Sequence, residues 1–341
     1  MTKHSIAYTL VSSPSHTLEG HPENANRFAG LTSLNESPVG SCLIQVQGED
    51  APRQALEAVH PAAYLEALQH ACSLGPGYID YAPTYVTPES FECALEAAGG
   101  TLRVLQAVLQ EQTDRGFALV RPPGHHATAT RAMGFCLLNN IAIAAREAQA
   151  SGHQRIMIVD FDVHHGNGTQ EIFERDPEVL YVSTHQEGIY PGTGLAGDRG
   201  SGPGMGSVIN IPLPPRSGDT ALADVFSQVV LPAGDRFQPD LILVSAGFDA
   251  HWRDPLAQLQ LSCHGYHSLM SLLVTLADRT CGKIMLVLEG GYDPEALEAS
   301  VAAVMSALAG IALPPDPLGP APFPEPDIGP LIGRMLVAQN L

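Results

Sequence analysis

The chain is short of basic residues: 17 Lys and Arg stand against 36 Asp and Glu in 341 residues, a formal net charge of −19. So acidic a surface repels phosphate backbones and argues against a nucleic-acid partner. It would keep the chain soluble and draw cationic ligands. Cysteine is sparse too. The six, Cys42, Cys72, Cys93, Cys136, Cys263 and Cys281, form no CxxC pair. A chain of this length needs no disulfide staples, so reduced thiols in a cytoplasm are expected. No uncharged apolar run approaches the ~20 residues that span a bilayer. The opening Met-Thr-Lys-His-Ser-Ile-Ala-Tyr-Thr-Leu lacks the apolar segment of a secretory signal. No internal repeat is present. With 45% apolar and 16% charged residues, what remains is a globular protein with a sizeable core.

Several short runs are apolar at consecutive positions: Ile6–Leu10, Phe117–Val120, Ile156–Phe161, Val179–Ser183, Leu241–Ala246 and Ile284–Leu288. That is the pattern of parallel strands covered on both faces. Helical patterns lie between them, clearest at Pro88–Glu111, Leu138–Ala150, Asp219–Arg236, His264–Arg279 and Pro294–Ala309. Alternation of the two predicts an α/β fold with a central, mostly parallel sheet and helices on both faces. Residues 1–312 are expected to form one domain. The proline-rich stretch 313–341 is expected to be an extended segment laid on the surface or mobile. A literal GxGxxG at Gly192, Gly194 and Gly197 sits in the glycine-rich loop Gly192–Gly206. No helical pattern follows it, so it is not read as a nucleotide-binding turn.

Four segments carry the chemistry, and each follows a predicted strand, where open α/β sheets form their sites. They are Arg121-Pro-Pro-Gly-His-His, Asp160-Phe-Asp-Val-His-His-Gly-Asn-Gly, Gly247-Phe-Asp and Glu289-Gly-Gly-Tyr. In an extended chain Asp160, Asp162 and His164 fall on one face. Asp162, His164 and Asp249 offer two oxygens and one nitrogen and leave a position open for water, as catalytic zinc requires. Iron(II) or cobalt would accept similar ligands. An isolated Asp-x-His pair is more often structural, and an isolated His pair more often a plain loop. Their conjunction with Asp249 favours the metal. One imidazole of His125 and His126 can move a proton, provided its far nitrogen is held by an acceptor, for which Asp160 and Asn167 are available. Tyr292, after two glycines, can approach closely and donate to a carbonyl oxygen as charge develops there. Together these parts point to metal-assisted hydrolysis of an amide.

These motifs, in this order, resemble the zinc-dependent histone deacetylase family, in its class II-like branch of bacterial deacetylase-like and acetylpolyamine amidohydrolases. The resemblance runs from His21-Pro-Glu to about Gly310, and Thr87-Pro-Glu-Ser and Tyr190-Pro-Gly-Thr-Gly fit it. It implies the arginase–deacetylase fold, zinc on Asp162, His164 and Asp249, and His126 as general base and acid. His125 would assist beside Asp160, with Asn167 where some members have aspartate. Tyr292 would polarise the acyl carbonyl. Gly134, Phe135 and Tyr190 would line the acyl-lysine channel. A structural potassium is implied at the Asp160 and Ser183 side chains and the carbonyls of Asp162, His164 and Thr184.

Two positions bear on substrate. Leu256 stands where polyamine-specific relatives carry a glutamate, which favours lysine. Pro83 stands where peptide deacetylases offer a serine or aspartate, which does not. The expectation is a cytoplasmic deacetylase of acyl-lysine in a protein or peptide, with a small acetylated amine such as an acetylpolyamine as the alternative substrate. An oligomer is compatible with the sequence. A non-catalytic acyl-lysine binder would have lost a ligand, the His pair or the tyrosine, and none is lost. An arginase-type dinuclear site would need further carboxylates at the strand ends.

Overall fold

The apolar runs form parallel strands in the computed structural model, which describes residues 3–81, 83–313 and 315–341. In chain order the strands are β1 (Ile6–Val11), β2 (Leu43–Gln45), β3 (Gly77–Tyr78), β4 (Tyr85–Val86), β5 (Arg115–Val120), β6 (Ile156–Asp160), β7 (Val179–Gln186), β8 (Val208–Leu213), β9 (Leu241–Ala246) and β10 (Ile284–Leu288). β3 and β4 make a small antiparallel pair. The other eight form one sheet, in the order β2-β1-β5-β10-β9-β6-β7-β8, with every neighbouring pair parallel.

Among the described residues ten α-helices surround the sheet: α1 (Arg53–Glu57), α2 (Ala62–Ser73), α3 (Ser90–Leu109), α4 (Asn140–Ala150), α5 (Asn167–Phe173), α6 (Asp219–Val225), α7 (Leu231–Phe237), α8 (Cys263–Thr280), α9 (Pro294–Ala309) and α10 (Gly329–Gln339). They cover both faces. In β9, Ile242, Val244 and Ala246 point into a core shared with α6 to α10, while Leu241 and Leu243 point into one shared with α1 to α5. Burial on two faces is why these strands read as continuous apolar runs instead of alternating ones. No helix of the described residues is long and apolar enough to cross a membrane.

Three elements depart from the sequence reading. β8 is interrupted by Asn210 and Pro212, which hid it. It is an edge strand, where a proline costs no ladder bond on its open side. The helix expected over Asp219–Arg236 has a π-helical turn, Phe226–Val230, between α6 and α7. Pro232, at the start of α7, has no N–H and crowds the preceding turn, and a widened turn accommodates it.

The third is the proline-rich end. It is not extended throughout but closes with α10, whose Leu331, Ile332 and Met335 join the core. Pro330 lies in the first turn of α10, the one place where a helix tolerates it. Before α10 the segment is tied down by its acids. Glu325 accepts from the backbone N–H groups of Gly218, Thr220 and Ala221 at 3.0, 3.0 and 2.8 Å, capping α6. Asp316 accepts from Cys263 N at 3.0 Å, at the start of α8. The GxGxxG stretch is a loop, as expected.

Candidate active site

The four segments singled out above follow β5, β6, β9 and β10, which are neighbours at the centre of the sheet. Parallel strands bring all their carboxyl ends to one edge, so residues more than a hundred positions apart converge. At that edge Asp162, His164 and Asp249 each present a ligand atom, all within 4.8 Å of one another. His164 Nδ1 lies 3.2 Å from Asp162 Oδ1 and 3.1 Å from Asp249 Oδ2. Backbone donors fix the carboxylates from behind. Gly290 N donates to Asp162 Oδ2 at 2.8 Å, and Val163 N to Asp249 Oδ1 at 3.0 Å. Burial would push the His164 imidazole down, but the two carboxylates outweigh it and hold it up at about 10. Two buried carboxylates thus require a positive charge between them, which a ring proton or a divalent ion can supply. Two oxygens and one nitrogen suit zinc-like ions. The donor set therefore fits a metal.

Glycine makes this approach possible. A Cβ on Gly290 would lie 2.1 Å from Asp249 Oδ2, and one on Gly134, at φ +58°, 2.3 Å from the His126 ring.

His125 and His126 need not diverge as neighbours on a strand would. Their rings lie 4.1 Å apart, tilted by 42°, and both line the same cavity. Each has its own partner: His125 Nδ1 donates to Asp160 Oδ2 at 3.0 Å, and His126 Nδ1 to Asn167 Oδ1 at 2.8 Å. Burial lowers His125, but the charges of Asp160, Asp162 and Glu289 prevail and raise it to about 10. Burial, with His125 and His164 beside it, drives His126 well below its ordinary value. The two neighbouring imidazoles are thus pushed in opposite directions. Asn167 accepts at His126 Nδ1, which leaves Nε2 with a free lone pair.

The cavity holds about 200 Å³ and is lined by Pro83, Pro123, His125, His126, Gly134, Phe135, His164, Tyr190, Leu256, Gly290 and Tyr292. All five residues expected in the channel are among them. Phe135 meets the Tyr292 ring edge-on at 5.9 Å, and Tyr190 meets His126 at 5.0 Å. Below, Ser183 and Thr184 lie on β7, and Ser183 is the register partner of Asp160 on β6. The Ser183 hydroxyl is 2.9 Å from His185 Nδ1.

Several supporting residues had no role in the sequence reading. Glu289, in the quoted Glu-Gly-Gly-Tyr, accepts from Gly124 N at 2.7 Å, His125 N at 3.1 Å and Ser245 Oγ at 2.9 Å, and so ties three strand ends together. The Tyr181 hydroxyl donates to Asp160 Oδ2 at 3.0 Å. Arg27 donates to the carbonyls of Gly291 and Glu289 at 2.6 and 2.7 Å, with its guanidinium 4.8 Å from the centre of the Tyr292 ring. Asp254 accepts from Tyr292 N at 2.7 Å and Leu256 N at 2.9 Å. Glu289 sits inside a quoted motif and Asp254 two residues before Leu256, so their proximity to the site is legible in the sequence, but their backbone partners are not. Arg27 and Tyr181 carry no such signal.

Comparison with known proteins bears on the family and the fold. The histone deacetylase domain model matches residues 21–308. Histone deacetylase 14, chloroplastic, of Arabidopsis thaliana is 42% identical over 324 residues, covering 89% of this chain and 77% of that protein. A probable deacetylase of Archaeoglobus fulgidus is 40% identical, covering 86% and 82%. The histone deacetylase-like amidohydrolase of Pseudomonas aeruginosa is 39% identical, covering 86% and 78%. The crystal structure of the HDA15 HD domain superposes with a TM-score of 0.87 at 33% identity, over 98% of this chain and 96% of that one. The eight-stranded sheet is thus that of the arginase–deacetylase fold, and the chain belongs to the histone deacetylase family of amide hydrolases.

Proposed function

We propose that this protein is a zinc-dependent deacetylase that removes acetyl or another short acyl group from the side-chain amine of lysine. The observation that carries the reading is a single cavity in which His126, with Nδ1 held by Asn167, faces the Asp162–His164–Asp249 cluster and Tyr292. A divalent ion on those three ligands would acidify a water and polarise the amide carbonyl.

His126 Nε2 takes the proton of the attacking water and returns it to the amine as it leaves. Asn167, being neutral, orients the ring without stabilising its cation as a carboxylate would, so His126 stays a free base. His125, held cationic by Asp160, adds positive charge where the tetrahedral oxyanion forms, and the Tyr292 hydroxyl donates to that oxygen. Phe135 and Tyr190 wall the passage of the lysine methylenes, with Gly134 leaving room beside His126. A structural potassium held by Asp160, Ser183 and the carbonyls of Asp162, His164 and Thr184 would brace β6 against β7.

Lysine is favoured over a polyamine by the mouth. Leu256 and Pro83 are apolar. Two carboxylates near the mouth already accept from the backbone: Asp80 from Thr84 N at 2.7 Å and Gly134 N at 3.4 Å, and Asp254 from Tyr292 N and Leu256 N. Asp254 is moreover buried, 7% exposed, so it is withdrawn from a second ammonium at the mouth, whatever the net charge of the whole chain. The test is kcat/KM of the zinc-loaded protein on an acetyl-lysine peptide and on acetylspermidine. Preference for the peptide is expected. Preference for acetylspermidine would replace lysine by a polyamine, and activity on neither would remove the deacetylase reading.

A further inference from the structure

Leu256 at the mouth and Tyr292 deep in the cavity come from different strand ends, yet both backbone N–H groups converge on one side chain. Asp254 Oδ2 accepts from Tyr292 N at 2.7 Å and Asp254 Oδ1 from Leu256 N at 2.9 Å. Asp254 is buried, 7% exposed, and its own N–H donates to His251 O at 2.9 Å, so its backbone is fixed as well. The same two segments are joined a second time at the surface. Arg253 reaches Asp293 at 3.2 Å and Glu295 at 2.8 Å, just past Tyr292. From outside, the Trp252 indole N–H donates to Gly319 O at 3.2 Å, tying this loop to the C-terminal segment.

We propose that Asp254 is a positioning residue: its two carboxylate oxygens lock the backbone of Tyr292 to that of Leu256, setting the distance between the oxyanion donor and the channel mouth. The chemistry requires a carboxylate. Both of its partners are donors, and only a group with two acceptor oxygens satisfies both. An asparagine of the same shape offers one oxygen and one NH2, so either flip leaves one N–H facing another donor. This inference rests on the role proposed above for Tyr292.

The test is a double-mutant cycle of Asp254→Asn with Tyr292→Phe, read as kcat on an acetyl-lysine peptide at equal metal content and below the melting temperature of every variant. Asp254→Asn alone is expected to lower kcat by about 10-fold or more, as for a misplaced catalytic group, while one metal per chain is retained. In the Tyr292→Phe background it should change kcat by less than about twofold, because the hydroxyl it positions is gone. Equal losses in both backgrounds, or no loss in either, would overturn the proposal. If Tyr292→Phe alone leaves kcat unchanged, the proposed role of Tyr292 fails, and this inference with it. An additive cycle with an intact Tyr292 effect sinks only the inference. Should the asparagine variant not fold, Asp254→Ser, which brings in no buried amide donor, supplies the same cycle.

Discussion

Asp162, beneath the floor of the cavity, and Leu256, at its mouth, belong to one site but are held very differently. Asp162 follows a central strand by two residues, is fully buried, and takes hydrogen bonds from His164 N and Gly290 N. Leu256 is 38% exposed, in a loop beyond the Asp249 segment, and depends on Asp254 for its position. Across the cavity Pro83 is exposed; Tyr78, at the end of β3, and Tyr81, in the loop that follows, are 61% and 108% exposed. On the proposed reading the sheet fixes the reaction through four adjacent strand ends, whereas loops fix what can reach it. Changes at the floor should abolish chemistry whatever the substrate, and changes at the mouth should reorder substrates while chemistry survives.

The largest effect should come from Asp162→Ala. Losing one of three ligands should cost more than the roughly 10–100-fold typical of outer partners and release the metal, as elemental analysis and turnover would show. Tyr292→Phe should lower kcat about 10²–10³-fold with metal content unchanged, the scale of one lost oxyanion donor. Unchanged turnover would remove Tyr292 from the floor's machinery.

Leu256→Glu sharpens the contrast. It gives the mouth a free carboxylate and should shift the peptide-to-acetylspermidine ratio of kcat/KM by roughly twofold to fivefold toward the polyamine, the scale of one exposed ion pair. Metal content should not change. An equal fall on both substrates would mean that the mouth is not independent of the floor.

The smallest effect lies away from both. Glu325→Ala removes the cap on α6 and should cost about 1 kcal/mol in denaturant unfolding, with kcat/KM unaltered. A change in kcat/KM would place the C-terminal segment in functional contact with the site.

The same division explains what could be read from the chain. The floor was legible because its residues lie within a few positions of strand ends, and apolar runs such as Leu241–Ala246 announce those ends. Order along the chain then sufficed to bring Asp162, His164 and Asp249 together. Three kinds of feature were not legible. β8 was concealed by Pro212, whose tolerance depends on the strand lying at the edge of the sheet. α10 was concealed by a composition rich in proline, although Leu331, Ile332 and Met335 already carry helical spacing. Most partners of Glu289, Asp254 and Glu325 are backbone N–H groups, the majority from remote segments, and no side-chain pattern encodes such a donor. Charge is blunt for a related reason: −19 describes the whole surface and does not say where its acids lie.

The measurement that bears most directly on the account is turnover of an acetyl-lysine peptide by the chelator-stripped protein before and after zinc is restored. The account predicts no turnover when stripped and full recovery as zinc reaches one per chain. Turnover that survives removal of the metal would contradict it.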